Sequence, residues 1–277
     1  MQLFAEIPGI AVIDESYVPL HLVPIDHAVP EGEYFEQGPR ADDPHYFFAK
    51  RYLPELRPEL RGLIMRGLVR QLRELGQNTD PQWIVIKEPN GSHASDSLMS
   101  LFPESRLLFL VRDGRDVIDS LIDAMLARDS WWQQSQVSDE PRIVSERMAF
   151  IRHHANLWLQ RTISTQRAFA ATPEPLRMQV GYEALLTDTT SGFGGMLEWL
   201  DMQEVGLDAI RAAVEKRSFS AIPSDQKGPG KRARSATPGQ WKERLRPGEV
   251  ELVEKIMGAK LQELGYEVGA GLQSDPA

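Results

Sequence analysis

The stretch that most constrains the fold is Arg106 to Ser120, with the sequence RLLFLVRDGRDVIDS. It opens with Arg106 to Val111, a short and mostly apolar run with the length of a strand buried on both faces of a parallel sheet. A polar turn, RDGRD, follows it. Beyond the turn, apolar residues recur at helical spacing, namely Val117, Ile118, Leu121, Ile122 and Met125. The pattern therefore predicts a strand, a tight turn and a helix.

An arginine and a serine near this turn suit the binding of an anion. Ligands of open α/β sheets bind beyond the carboxyl ends of the strands, and Arg112 occupies such an end, with Ser120 on the helix that follows. A guanidinium gives phosphate a planar, permanently charged contact, and a hydroxyl adds one donor. The residues alone favour a second interpretation equally, in which Arg112 and Arg115 pair with Asp113 and Asp116 to cap the helix.

Composition excludes several classes of function. The 277-residue chain is 42% hydrophobic and 26% charged, which is ordinary for a globular protein. It has no cysteine, so disulfides, thiolate metal sites and cysteine nucleophiles are excluded. Its net charge of -9 argues against a general nucleic-acid binder. Of the six histidines only His153 and His154 are close in sequence, so we expect no metal site.

The sequence also suggests where the protein resides. No apolar run reaches the roughly 18 residues that a membrane span needs. The first residues, MQLFAEIPGIAVIDES, lack the basic region of a secretory signal and carry acids early. We therefore expect a cytoplasmic protein without a membrane span.

The central stretch resembles a segment of a known family. An apolar strand, then R-D-x-R-D-V, then a serine eight residues after the first arginine, is similar to the 3′-phosphate-binding segment of the PAPS-dependent sulfotransferases. The resemblance is to bacterial members with a P-loop-like fold. It implies that Arg112 and Ser120 hold the 3′-phosphate of 3′-phosphoadenylyl sulfate (PAPS), the co-substrate of this family.

Two later segments resemble the same family in the same order along the chain. After a predicted strand at Met178–Val180 comes GYEALL, which implies that Tyr182 lies near the adenine, although a core tyrosine with a satisfied hydroxyl is the alternative. The basic segment 218–242 ends in GQWK, similar to the family's loop that closes over the 3′-phosphate. The implied nucleotide contacts in this loop are Lys231, Arg232, Arg234 and Trp241, and we expect the first three to form a lid that orders on nucleotide. The family's R-K-G triplet is absent, with GKRAR nearest to it, and a solvated loop is the alternative.

Lys87 follows a predicted strand at Trp83–Ile86. The family has a lysine at the matching strand end that points at the sulfuryl group, which implies a catalytic role for Lys87; a solvated strand-end lysine is the alternative. Cytosolic relatives place a catalytic histidine two residues later, but this chain has Pro89 there. The histidine-base mechanism therefore does not transfer.

Another residue must then accept the acceptor's proton. Some sulfotransferases use a glutamate shortly after their first loop and helix, and Glu15 occupies such a place at the end of a predicted strand at Ile10–Ile13. Asp14 is the near alternative and His93 a weaker one, while Glu15 could instead cap a turn or pair with a surface arginine.

The start of the chain departs from the family pattern. Similar enzymes begin with a strand and a loop of the form G-x-x-R-S-G-[ST]-T that holds the 5′-phosphosulfate, and this loop is absent here. Either the start was assigned at an internal methionine, which we favour, or the segment is lost. Two further segments are expected at the binding site of the acceptor. They are a surface loop region at 18–50 and a lid at 128–142 with Trp131 and Trp132.

These observations predict a single α/β domain over residues 1–277, with three layers and a parallel sheet flanked by helices. The implied reaction is sulfuryl transfer from PAPS, without a metal, to a hydroxyl or amine of a small molecule or glycan. One alternative is an inactive sulfotransferase-like protein that binds nucleotide or a partner. Another is a P-loop nucleoside or sugar kinase, but the sequence shows neither its lysine motif nor its magnesium carboxylates. The acceptor and the oligomeric state stay open.

Overall fold

The structure is a computed structural model that describes residues 2–14, 42–45, 49, 51–89, 92–127, 147–231 and 233–269. Its strands within these ranges are β1 (Ile10–Asp14), β2 (Trp83–Lys87), β3 (Leu107–Val111) and β4 (Arg177–Gly181). Its helices there are α1 (Leu53–Glu74), α2 (Ser95–Leu101), α3 (Gly114–Leu126), α4 (Arg147–Ala171), α5 (Tyr182–Thr187), α6 (Thr189–Trp199), α7 (Leu207–Lys216), α8 (Trp241–Arg244) and α9 (Pro247–Glu263).

The fold is α/β with parallel strands and flanking helices, as predicted. Strands β1 and β2 pair in parallel, with Ile10 opposite Trp83 and Asp14 opposite Lys87. Strands β3 and β4 are neighbours in a second two-stranded sheet. Because β1 and β2 run in the same direction, their carboxyl ends lie side by side.

The chain divides into two compact units. The first unit comprises 1–109, 160–180 and 193–213, and the second comprises 110–159, 181–192 and 214–277. This division does not test the single domain expected over 1–277, which stays a prediction.

The first unit is built around α1 and the β1–β2 pair. The helical spacing of Leu60, Ile64, Leu68 and Leu72 predicts one apolar stripe on α1. This stripe is confirmed, because Ile64, Leu68 and Leu72 are buried in one cluster with residues of β1, and Leu60 packs against that cluster. Helix α1 ends before Gly76, whose φ of +65° is a conformation that glycine adopts without steric cost. The Gln77 side chain then hydrogen-bonds the backbone N–H and carbonyl of Val12, at 2.8 and 2.7 Å, and so satisfies these two groups of β1.

The second unit is built around α3, the first half of α4 and α9. The buried residues of α3 include Ile118, Ile122 and Met125, and they form one apolar cluster with residues of α4, α8 and α9. Gly114 at the start of α3 sits against this cluster. A Cβ there would lie 2.6 Å from Met257 Sδ and 2.9 Å from the Trp158 ring, so only glycine allows this approach.

Two local predictions are wrong. The sequence predicts a short helix over Ser92–Leu101 with Ser92 or Ser95 as its cap. A 3₁₀ turn instead precedes α2, whose N-cap Ala94 makes no side-chain bond. The hydroxyls of Ser92 and Ser95 instead donate to the carbonyls of Pro89 and Ser92, at 2.9 and 2.6 Å.

Strand β3 was expected to be buried on both faces. Phe109 and Val111 are buried, but Leu110 is 49% exposed. Alternate side chains of a strand point to opposite faces, so β3 has one covered face and one open face at this end.

Other predicted features lie outside the described residues. These are most of the 18–50 surface loop and the 128–142 lid with Trp131 and Trp132. In the part of the chain that the structure describes, no helix combines the length and the apolar character of a membrane span.

Candidate functional site

Arg112 lies between the end of β3 and the first turn of α3, as the sequence predicts. Its guanidinium stands 4.8 Å from the centre of the Tyr182 ring. Its Nε is buried, and no described residue accepts a hydrogen bond from it. A buried donor without an acceptor is costly, and the N-terminus of a 13-residue helix favours negative charge. The geometry at Arg112 therefore suits a bound anion, while Ser120 lies partly buried further along α3.

Arg115, three residues after Arg112, donates hydrogen bonds to carboxylates of the protein. Its side chain is 4% exposed. Its Nε and Nη2 donate to Asp113 at 3.0 and 2.9 Å, and its Nη1 donates to Glu254 Oε1 at 2.8 Å. Burial alone would lower the pKa of Arg115, but these two carboxylates outweigh it and raise that pKa. The capping interpretation is therefore confirmed for Arg115 and not for Arg112.

The face of the Arg115 guanidinium also contacts the GQWK segment. It lies 4.0 Å from the centre of the Trp241 ring, and Trp241 is buried in the core of the second unit. Asp116 accepts hydrogen bonds from the backbone N–H groups of Gly239 and Trp241, at 2.6 and 3.3 Å. Burial raises the pKa of the Asp116 carboxyl, and these two donors oppose the rise. The RDGRD turn and the GQWK segment thus stabilise each other. A contact of Trp241 with nucleotide stays a prediction.

The next acidic residues of α3 hold the basic segment. Arg234 donates to Asp119 Oδ2 at 2.5 Å, and both side chains are nearly buried. The backbone N–H of Gly230 donates to Asp123 Oδ2 at 2.9 Å. Lys231 is exposed, and Arg232 lies outside the described residues. The predicted lid of Lys231, Arg232 and Arg234 stays a prediction.

Glu183 joins the turn at Arg112 to the C-terminal part of the second unit. Its Oε1 accepts the backbone N–H of Asp113 at 3.0 Å, and its Oε2 accepts the Tyr266 hydroxyl at 3.0 Å. Burial and the Glu183 carboxylate raise the pKa of the Tyr266 phenol, so this hydroxyl stays a donor. Residue 183 immediately follows Tyr182, which contacts the Arg112 side chain.

A cavity of about 490 Å³ lies beside these groups within the second unit. Its lining includes Asp116, Glu183, Trp241, Glu254 and Tyr266, and it includes neither Arg112 nor Ser120. Among its acidic groups, Asp116, Glu183 and Glu254 already accept hydrogen bonds from the protein. The cavity is therefore framed by groups that stabilise the turn.

In the first unit, Lys87 stands at the carboxyl end of β2. Its Nζ lies 2.5 Å from Oδ1 of Asp14, its register partner on β1, and both side chains are about half exposed. His93 lies in the turn before α2, where its backbone carbonyl accepts the Ser164 hydroxyl at 2.6 Å. Glu15 lies outside the described residues, so the choice of general base stays a prediction.

The predicted site residues thus fall in both units. Arg112, Ser120, Tyr182, Lys231, Arg234 and Trp241 belong to the second, and Lys87 and His93 belong to the first. Sequence reasoning missed the acids of α3 as anchors of the basic segment. Their signal was available, because Asp116, Asp119 and Asp123 recur at helical spacing in a chain that also carries one basic segment. No sequence signal pointed to Glu254 or Tyr266.

Comparison with known proteins identifies the family of this chain. A family model described as "Sulfotransferase family" matches residues 31–205, which is more than half of the chain. The chain therefore belongs to the sulfotransferase family, and this membership supports a sulfotransferase activity in general. The matched range includes Lys87, Arg112, Ser120 and Tyr182, while GQWK follows it and Glu15 precedes it. No curated protein matches the chain.

Proposed function

We propose that the protein transfers a sulfuryl group from PAPS to a hydroxyl or amine of a small molecule or glycan, and releases adenosine 3′,5′-bisphosphate. Family membership supports the class of reaction. The observation that carries the choice of donor is Arg112, a cation at a helix N-terminus whose buried Nε has no acceptor among the described residues. The 3′-phosphate distinguishes PAPS from most other nucleotides, and a guanidinium binds phosphate through two parallel hydrogen bonds.

Three features favour Arg112 over its neighbour as the phosphate ligand. The Nε, Nη1 and Nη2 atoms of Arg115 each donate to Asp113 or Glu254. Arg112 carries no such bonds from described residues, and the Tyr182 ring supports one face of its guanidinium. Ser120 on α3 would add a hydroxyl donor to the same phosphate.

In the proposed reaction, the acceptor oxygen or nitrogen forms a bond to sulfur while the bond from sulfur to the bridging oxygen breaks. That oxygen leaves on the 5′-phosphate with the electron pair of the broken bond, and the acceptor's proton passes to a base. Lys87 would neutralise the charge that develops on the leaving oxygen. Glu15 is our candidate base, with Asp14 and His93 as the alternatives.

Calorimetry with adenosine 3′,5′-bisphosphate tests the central assignment. Arg112→Ala removes a charge-assisted contact worth about 2–3 kcal/mol, so the affinity should fall roughly 30- to 150-fold. Arg152→Ala, which removes an exposed arginine of α4, is the matched control and should bind like wild type. Equal affinities of the two variants would exclude Arg112 as the phosphate ligand.

Turnover of labelled PAPS with hydroxyl and amine acceptors tests the reaction itself. Transfer of the label to an acceptor supports the proposal. A protein that binds the bisphosphate yet transfers label to no acceptor would instead be the inactive, nucleotide-binding alternative.

A further inference from the structure

The N-terminus of α3 is capped in an unusual way. Its N-cap, Asp113, accepts a hydrogen bond from the backbone N–H of Arg115, the second helical residue, at 2.9 Å. In a capping box, the side chain of the third helical residue also reaches back to the N-cap N–H. That residue is Asp116, and its carboxylate is used by Gly239 and Trp241.

Glu183 makes this contact to the N-cap N–H from a different part of the chain. Its Oε1 accepts the N–H of Asp113 at 3.0 Å. This N–H belongs to the peptide bond between Arg112 and Asp113, so the contact fixes the plane of the peptide that follows Arg112. The side chain of Arg112 is held by Tyr182, the residue before Glu183, because the Arg112 guanidinium lies over the Tyr182 ring. Two consecutive residues therefore hold the backbone and the side chain of one arginine.

Tyr266 fixes Glu183 in turn. Its hydroxyl donates to Glu183 Oε2 at 3.0 Å, on the carboxylate oxygen that Asp113 does not use. The phenol ring packs against the core of the second unit, which limits how far the hydroxyl can move. The chain of contacts runs from the core through Tyr266 and Glu183 to the peptide that follows Arg112.

We propose that Glu183 and Tyr266 are positioning residues of the nucleotide site, which set the direction of the Arg112 guanidinium toward the 3′-phosphate. This inference rests on the proposed function. Neither residue needs to touch the nucleotide, since each acts through the capped turn. Misplacing a binding group by about 1 Å can cost large factors in function, so a modest shift of Arg112 should be measurable.

The test compares two ligands that differ in the phosphate that Arg112 would bind. Glu183→Ala should weaken adenosine 3′,5′-bisphosphate about tenfold, the size of one hydrogen bond to a charged group. The same variant should bind 5′-AMP, which lacks the 3′-phosphate, within about twofold of wild type. In the double variant, Arg112→Ala and Glu183→Ala should together cost little more than Arg112→Ala alone, because one residue acts through the other.

Conservative variants separate positioning from folding. Glu183→Gln keeps an oxygen for the Asp113 N–H and an amide donor for the Tyr266 oxygen, so it should recover most of the lost affinity. Tyr266→Phe removes only the hydroxyl and should cost about threefold for the bisphosphate. The matched controls are Glu251→Ala, an exposed residue of α9, and Tyr52→Phe, whose hydroxyl donates to the Pro44 carbonyl at 2.8 Å. Neither control should change either affinity.

The outcomes distinguish this inference from the proposed function. If wild type does not bind the bisphosphate, the proposed function fails and this inference fails with it. If Arg112→Ala weakens binding while Glu183→Ala and Tyr266→Phe do not, only the positioning role is overturned. If Glu183→Ala lost affinity equally for the bisphosphate and for 5′-AMP, Glu183 would have a general structural role, and the positioning role would be overturned as well. Should Glu183→Ala not fold, Tyr266→Phe and Glu183→Gln decide the question alone.

Discussion

The protein has ion pairs at two strand-end corners, which are the end of the β1–β2 pair and the turn from β3 to α3. The paired side chains are far more exposed at the first corner than at the second. At the end of β1 and β2, Lys87 and Asp14 form one ion pair whose side chains are 40% and 52% exposed. At the start of α3, Arg115 pairs with Asp113 and Glu254, and these side chains are 4% to 9% exposed. A solvated pair contributes little to stability and can exchange partners at low cost. A buried set cannot lose one member without leaving uncompensated charge, so it fixes geometry.

The same contrast exists within the second corner. Arg112 and Arg115 are three residues apart in one turn, yet each guanidinium nitrogen of Arg115 donates to a carboxylate, while Arg112 Nε has no acceptor among the described residues. Sequence alone makes them equivalent, since each is followed by an aspartate. The structure separates them: Arg115 bonds the carboxylates that hold the turn, and the buried Nε of Arg112 has no acceptor among the described residues.

The largest expected effect comes from breaking the buried set. Arg115→Met keeps the apolar length of the side chain but leaves Asp113 and Glu254 without their cation. Removing one partner of a buried ion pair costs roughly 3–5 kcal/mol. We therefore expect urea denaturation, followed by circular dichroism, to show a loss of stability of that size.

Arg112→Met is the matched control for this measurement. It has no described ion pair to break, so its stability should stay within about 0.5 kcal/mol of wild type. A similar loss in both variants would mean that the two arginines share one structural role, and the contrast within the turn would disappear.

An intermediate effect, with a pH dependence, is expected at Glu249. Arg147 donates to Glu249 at 2.5 and 3.1 Å, and its hydrogen bonds lower the pKa of Glu249 below the ordinary 4.5. A lowered folded-state pKa of an acid contributes stability above the unfolded-state pKa, and this is lost as pH falls through the folded-state value. Glu249→Gln should therefore cost about 1.5–3 kcal/mol at pH 7.

The difference between wild type and Glu249→Gln should shrink as the pH falls below about 4.5. Subtracting the two curves removes the opposite contribution of Asp116, whose raised pKa is common to both proteins. Glu251→Gln, at an exposed position on α9, should give a flat difference. A difference for Glu249→Gln that does not change with pH would show that the bond from Arg147 contributes no charge-dependent stability.

Much of the fold was accessible from local patterns. The stripe of α1 and the strand–turn–helix around Arg112 were predicted because each depends on residues close in sequence. The different hydrogen bonding of Arg112 and Arg115 was not predictable, because it depends on Glu254, which is 139 residues from Arg115 in sequence. Glu183 and Tyr266 were missed for the same reason: a single acid or phenol has no periodic signal until the fold brings its partner close.

The smallest expected change in stability is at the exposed corner, where the expected change in turnover is large. Lys87→Gln and Asp14→Asn should each lower stability by no more than about 1 kcal/mol, because the pair is half exposed. Under the proposed function, Lys87→Gln should nevertheless reduce turnover roughly 10²- to 10³-fold, the usual result of losing a group that stabilises developing charge.

The same corner also distinguishes the candidates for the general base. Glu15→Gln should lower turnover about 10²-fold while the affinity for the bisphosphate stays near that of wild type, and His93→Ala should retain turnover. If Asp14→Asn gives the loss instead, the base is the residue that pairs with Lys87, and their ion pair at 2.5 Å must open before the acceptor's proton can be taken. If Lys87→Gln lowers stability as much as Arg115→Met does, the exposed pair is structural after all. The contrast between the two corners would then fail, because the ion pairs at both corners would contribute equally to stability.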